Sequence, residues 1–115
     1  VTWGAMVHVA MRAASEASNR GVEVEVVDLR TISPFDARTC VESVRRTGRL
    51  LEAQWTGGLG NTVSSRIMEE AFWCLESPPV VIGALDTPVP FSPPLEDHTM
   101  PTYELVARHI NRMCM

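Results

Sequence analysis

Strands take turns with helices along this chain, and that alternation constrains the fold more than any other feature. The run Val22-Glu23-Val24-Glu25-Val26-Val27-Asp28-Leu29 alternates apolar and polar residues in its first half and turns apolar towards its end. A strand entering a sheet covered on both faces has this pattern. Ahead of it, the Ala-rich stretch from Ala5 to Arg20 carries Val9, Ala13 and Ala17 on one helical stripe, with Ala10 and Ala14 beside it. Gly21 stands where a helix C-terminal cap belongs.

The same alternation repeats downstream. Asp36 is a good N-cap for a helix over about 37–46, and Gly48 closes it. Leu50 and Leu51 begin a short strand ending near Gln54, and Thr56-Gly57-Gly58-Leu59-Gly60-Asn61 forms the next turn. Val63, Ile67, Ala71 and Phe72, with Met68 and Leu75, make a strong helical stripe. Pro78-Pro79 ends it before the strand Val80–Leu85. The segment from Asp86 to Pro101 contains five prolines and is read as irregular, without a regular helix. Thr102 then caps a last helix with the stripe Tyr103, Val106 and Ile110. Strands separated by helices need crossover connections, so the sheet is expected to be mostly parallel. Val1-Thr2-Trp3 reads as the end of a strand with Gly4 turning out of it. The chain is therefore expected to be a fragment of a longer polypeptide.

Composition removes several function classes. A length of 115 residues fits one domain, 1–115, and 45% hydrophobic with 21% charged residues fits a globular one. A net charge of −4 gives no electrostatic footprint for nucleic acid, and no apolar stretch is long enough to span a bilayer. A soluble intracellular protein is expected. All ten basic residues are Arg, so neither Schiff-base chemistry nor the Lys of a phosphate-binding Walker loop is available. Cys40, Cys74 and Cys114 form no CxxC pair, and small buried hydrophobes describe them better than a disulfide or zinc set.

Few residues offer a site. Gly57-Gly58-Leu59-Gly60 lies between strand and helix, but Val63 stands where the third glycine of a dinucleotide fingerprint belongs. A tight strand-to-helix turn is the better reading. His8, His98 and His109 are isolated, and Leu95-Glu96-Asp97-His98 is weak evidence for a metal. Glu69 and Glu70 point about 100° apart on a helix, as on a solvated face. Trp55 at a strand-to-turn junction and Phe72 with Trp73 on the long helix form a large aromatic face. Core filling and a partner interface both account for it at this point. With Val63 and Ile67, this surface exceeds what one small sheet covers, and a homodimer is expected.

Several local patterns also line up in one order: Trp3-Gly4-Ala5-Met6-Val7-His8, then Val26-Val27-Asp28-Leu29-Arg30-Thr31-Ile32-Ser33-Pro34-Phe35-Asp36, then Thr47-Gly48-Arg49-Leu50. Thr56-Gly57-Gly58-Leu59-Gly60, Leu75-Glu76-Ser77-Pro78 and Asp86-Thr87-Pro88-Val89-Pro90-Phe91 follow. The series resembles the C-terminal, transketolase C-terminal-like domain of the β subunit of thiamine-diphosphate-dependent 2-oxo acid dehydrogenases, found also in acetoin dehydrogenase. The DTPVPFSPPLED run leans towards pyruvate or acetoin members.

The resemblance implies a three-layer α/β/α fold with a mixed, mainly parallel sheet of about five strands. It implies that this chain holds no catalytic group and no cofactor. Thiamine diphosphate and magnesium would lie in the parent enzyme, between a missing pyrimidine-binding domain and the α subunit. The implied partners are the α subunit, a second β subunit and the peripheral subunit-binding domain of the acyltransferase core. For that last partner it points to Glu76 and to the carboxylate on Met115, which offer acceptors to an Arg-bearing surface. It also implies a cytoplasmic setting, or a mitochondrial matrix or plastid one in a eukaryote. Two departures stand out: the stretch from Arg49 to Gly57 is a few residues shorter than usual, and Asn61 stands where many members carry Glu. The first predicts a truncated strand. The alternatives are the C-terminal domain of transketolase or a related single-chain enzyme, and a free-standing flavodoxin-like binding module. That module would need an acidic pocket or phosphate loop at the strand ends, and neither is evident.

Overall fold

A computed structural model describes residues 1–54 and 59–115. The elements run α1 (Met6–Ser18), α2 (Ala37–Thr47), β1 (Leu51–Ala53), α3 (Leu59–Ala71), β2 (Val80–Ile82), α4 (Pro93–Thr99) and α5 (Tyr103–Met113), with a 3-10 turn at Phe72–Cys74. Strand β1 pairs with β2 in parallel, Leu51 opposite Val80. Thr2 bridges Ala53 on one side and Asp28 on the other, both parallel. The backbone order across the sheet is therefore Val27–Leu29, Val1–Trp3, β1, β2, held by Thr2 N–H to the Val27 carbonyl (3.0 Å) and Ala53 N–H to the Val1 carbonyl (3.1 Å).

Helices cover both faces. On one, Ala13 and Ala17 of α1 pack with Val106, Ala107 and Ile110 of α5 against Ala53 and Ile82. On the other, Cys40, Val41 and Val44 of α2 meet Val63, Ile67 and Ala71 of α3 over Leu29 and Leu50. The small residues on α1 let the helix lie close to α5, as their placement on one stripe predicts. The helix ends follow their caps. Asp36 accepts from Thr39 N–H at 3.1 Å, Gly48 takes φ 68°, and Thr102 accepts from Leu105 N–H at 3.3 Å. Among the described residues no helix is long and apolar enough to cross a membrane.

The structure departs from the sequence reading in several places, among them the following. Val22–Val26 is not in a ladder and only Asp28 bridges in this segment, because the neighbouring backbone is first met where Thr2 meets Val27. Where the resemblance implies about five mixed strands, the described residues show two strands and two bridged segments, all parallel. The Pro-rich segment does contain a helix. Pro93 and Pro94 occupy the first turn of α4, where an N–H would have no intrahelical partner and the fixed φ of proline suits the helix.

Candidate partner-docking surface

Glu76 sits just past the 3-10 turn, folded back onto the end of α2. Its N–H donates to the Gly48 carbonyl at 2.7 Å. The left-handed φ of Gly48 turns the chain there, and a Cβ on Gly48 would stand 2.8 Å from Glu76 Cγ. Glycine is required on both counts. From this position Glu76 Oε2 accepts from Arg49 Nη1 at 2.8 Å. Arg49 Nε donates in turn to the Met113 carbonyl at 2.9 Å. One guanidinium thus joins Glu76 to the end of α5, two residues before Met115. The Met115 side chain is fully exposed.

Glu76 is therefore not a bare anion. Arg49 partly offsets its charge. The pair is well exposed on the Glu76 side (64%), so water screens it and it is worth well under about 1 kcal/mol.

Beside Glu76 the aromatic residues behave differently from a helical stripe. Helix α3 ends at Ala71, and the tighter 3-10 turn swings the next side chains off the core-facing line. Trp73 is 94% exposed and Phe72 54%. Their rings meet edge to face with centroids 5.1 Å apart, a favourable arrangement that holds the pair together. Phe72 accordingly leaves the stripe assigned to it. Val63 and Ile67 are each 1% exposed, so they belong to the core and add nothing to a dimer surface. Trp55, the third aromatic of the expected interface, lies outside the described residues, as do Gly57 and Gly58 of the Gly57-Gly58-Leu59-Gly60 turn. At its far end the Gly60 N–H donates to Gln54 Oε1 at 2.8 Å.

The remaining sequence candidates are scattered. His8 lies exposed on α1, His98 exposed on α4 and half-buried His109 on α5. Glu69 and Glu70 both lean on Arg66, at 2.6 Å and 3.6 Å. A magnesium–diphosphate group needs several oxygen ligands converging on one point. Among the described residues no three His, Cys, Asp or Glu side chains come together to hold a metal ion. These residues do not fit that group.

Sequence reading missed one buried carboxylate. Glu52, in the middle of β1, is 0% exposed. Neither its oxygens nor the Ser64 hydroxyl beside it makes a hydrogen bond of acceptable geometry among the described residues. Burial pushes the Glu52 carboxyl up to about 7, against smaller pulls the other way from Ser64 and the Val1 amino group. Cys40, across the same layer, is likewise raised by burial, to about 11, which makes it an unreactive thiol. A charged residue between Leu51 and Ala53 in a covered strand was the available signal.

Fold and surface together define a small parallel α/β domain whose distinctive chemistry lies on its outside. The chain belongs to the transketolase C-terminal domain family, whose profile matches residues 1–106. It is 42% identical over 110 residues to the acetoin:2,6-dichlorophenolindophenol oxidoreductase subunit beta of Cupriavidus necator, covering 93% of this chain and 32% of that protein. To the pyruvate dehydrogenase E1 component subunit beta of Bacillus subtilis it is 44% identical over 95 residues, 80% of this chain and 29% of the relative. The Rhizobium meliloti protein of the same name is 35% identical, over 99% of this chain and 25% of its own length. A solved split gene transketolase, described as an inactive beta4 tetramer, superposes with a TM-score of 0.78 at 28% identity, over 97% of this chain and 36% of its own. The chain thus spans about a quarter to a third of the relatives it matches.

Proposed function

We propose that this domain is the C-terminal assembly domain of the β subunit of a thiamine-diphosphate-dependent 2-oxo acid dehydrogenase. In that enzyme it packs β subunit against β subunit and docks the subunit-binding domain of the acyltransferase core, contributing no catalytic group. Its sheet would reach about five mixed strands in the whole subunit. The observation that carries the reading is the link from Glu76 through Arg49 to the end of α5, with the exposed Trp73 three residues before Glu76 in the chain. An exposed aromatic and a solvent-screened charge pair suit a partner with an arginine and an apolar rim. Identities of 42% and 44% to acetoin and pyruvate β subunits, against 28% to the transketolase, favour the dehydrogenase reading over the transketolase one.

The test is a titration of the cognate subunit-binding domain against wild type and Glu76→Gln at two ionic strengths. Charge-assisted hydrogen bonds contribute about 1.5–3 kcal/mol when desolvated. At the exposure of Glu76 the lower end is the better guide, a weakening of about tenfold. The wild-type affinity should fall more steeply with salt than the mutant's. Equal affinities at both salt concentrations remove Glu76 from the surface.

A further inference from the structure

Helices α1 and α5 pack together through small side chains, Ala13 and Ala17 with Ala107. Longer residues of both helices flank that seam and leave a groove along its outside. The groove holds about 550 Å³, with Arg20 on the α1 wall and Tyr103, Arg108 and Arg112 on the α5 wall.

Six of the ten arginines in this chain hold a carboxylate. Of the remaining four, Arg45 donates to the Glu70 carbonyl, and Arg12 lies over the Tyr103 ring at 3.6 Å. Among the described residues the other two, Arg108 and Arg112, make no ion pair and no side-chain hydrogen bond, and both are exposed. The two glutamates of the groove are already engaged. Glu16 holds Arg20 at 3.2 Å. Glu104, one turn before Arg108, has its carboxyl lowered chiefly by a hydrogen bond from its own backbone N–H, in keeping with its place in the first turn of α5. Two uncompensated guanidiniums thus stand one turn apart on one wall, in a chain whose net charge is −4.

We propose that the α1–α5 groove docks an acidic segment of a partner protein, extended and carrying carboxylates at alternate positions. Charge complementarity selects the sign. Spacing selects the pattern. Residues one turn apart on a helix stand about 5–6 Å apart at Cβ, and residues two apart in an extended chain stand about 6.5 Å apart. Each guanidinium can then take one carboxylate through paired N–H donors. Between Tyr103 and Arg112 helix α5 rises about 14 Å, room for about four extended residues. This surface is opposite in sign to the Glu76 carboxylate proposed to receive an arginine. It serves a different segment, and neither reading rests on the other.

The test titrates the chain at low salt with the peptide acetyl-Ala-Glu-Ala-Glu-Ala-amide, its Gln-for-Glu counterpart and the isomer acetyl-Ala-Ala-Glu-Glu-Ala-amide. The readout is the backbone amide signals of Ala107 and Asn111 by NMR. The first peptide should bind about tenfold more tightly than the Gln form, and more tightly than the isomer. Arg108→Gln combined with Arg112→Gln should remove about the same tenfold while leaving the melting temperature unchanged. Arg38→Gln, on α2, should leave binding as it was. No binding of the first peptide, equal binding of all three, an equal loss with Arg38→Gln, or displacement of the peptide by equimolar succinate would overturn the docking.

Discussion

Replacing Glu52 with glutamine should flatten the dependence of this domain's stability on pH. The carboxyl is raised from 4.5 to about 7 by burial, so between those values the folded state holds a proton that the unfolded state has released. Stability from this group is therefore complete below about pH 4.5, falls as pH rises towards 7, and is lost above it. At about 1.36 kcal/mol per pH unit, the gap between 4.5 and about 7 amounts to about 3 kcal/mol. For a domain of 115 residues that is on the order of 10 °C in melting temperature. Two other groups touch the site. Cys40, at about 11, does not titrate in this range. The Val1 amino group, lowered by burial, acts in the opposite direction and is itself raised by the Glu52 charge. The difference between wild type and Glu52→Gln therefore reports the carboxyl together with its coupling to that amino group. The substituted side chain leaves its amide short of partners, which costs about 1–3 kcal/mol at every pH. The slope, not the absolute stability, is the readout. Urea unfolding at pH 5 and pH 8 measures it, and parallel profiles for the two proteins would refute the reasoning.

Three other outcomes are expected. Calorimetry of the 115-residue chain with thiamine diphosphate and magnesium should show no micromolar binding, since no metal-ligand cluster stands among the described residues. Sedimentation should show concentration-dependent self-association that weakens in Trp73→Ser, because 94% of Trp73 is left in water; a strict monomer at high concentration counts against it. Gly48→Ala should cost about 1–2 kcal/mol in urea unfolding, from the left-handed backbone and the 2.8 Å approach to Glu76. A neutral effect would show that the turn relaxes freely.

What could be read from the sequence was periodic or capped. The stripes of α1 and α5 follow from spacing alone, and Asp36, Gly48 and Thr102 fix ends because each satisfies or reverses the chain through a local bond. The errors arose where a local rule met a second one. Proline argues against helix interiors, and that argument hid α4, where the two prolines fall in the first turn. The hydrophobic stripe of α3 ran on into Phe72 on paper because periodicity cannot see the change from α to 3-10 geometry after Ala71. Val22–Leu29 was a strand by pattern, but a strand exists only against a partner, and partners are set by tertiary structure.

The Arg49 contact to Glu76 and the buried carboxylate were hidden for one shared reason. Both depend on which charge meets which across distant parts of the chain. Glu76 and Arg49 are 27 residues apart, and Arg49 reaches Met113 across 64. No local pattern ranks Arg49 above the other nine arginines. Resemblance supplied Glu76 as an acceptor, but only the fold shows that Arg49 already holds it, which lowers the expected contribution of that carboxylate to docking. Glu52 presents the reverse case. Its neighbours in sequence predict burial, and the missing information is that among the described residues no arginine arrives to meet it, only the buried Val1 amino group. Among the described residues the side chains of α2 and α3 that close over Glu52 bring Cys40 and Ser64, with no arginine. A carboxylate covered by helices without an arginine or a hydrogen-bond donor in place must take up a proton or destabilise the fold. Its pH response therefore reports directly on how the two layers close.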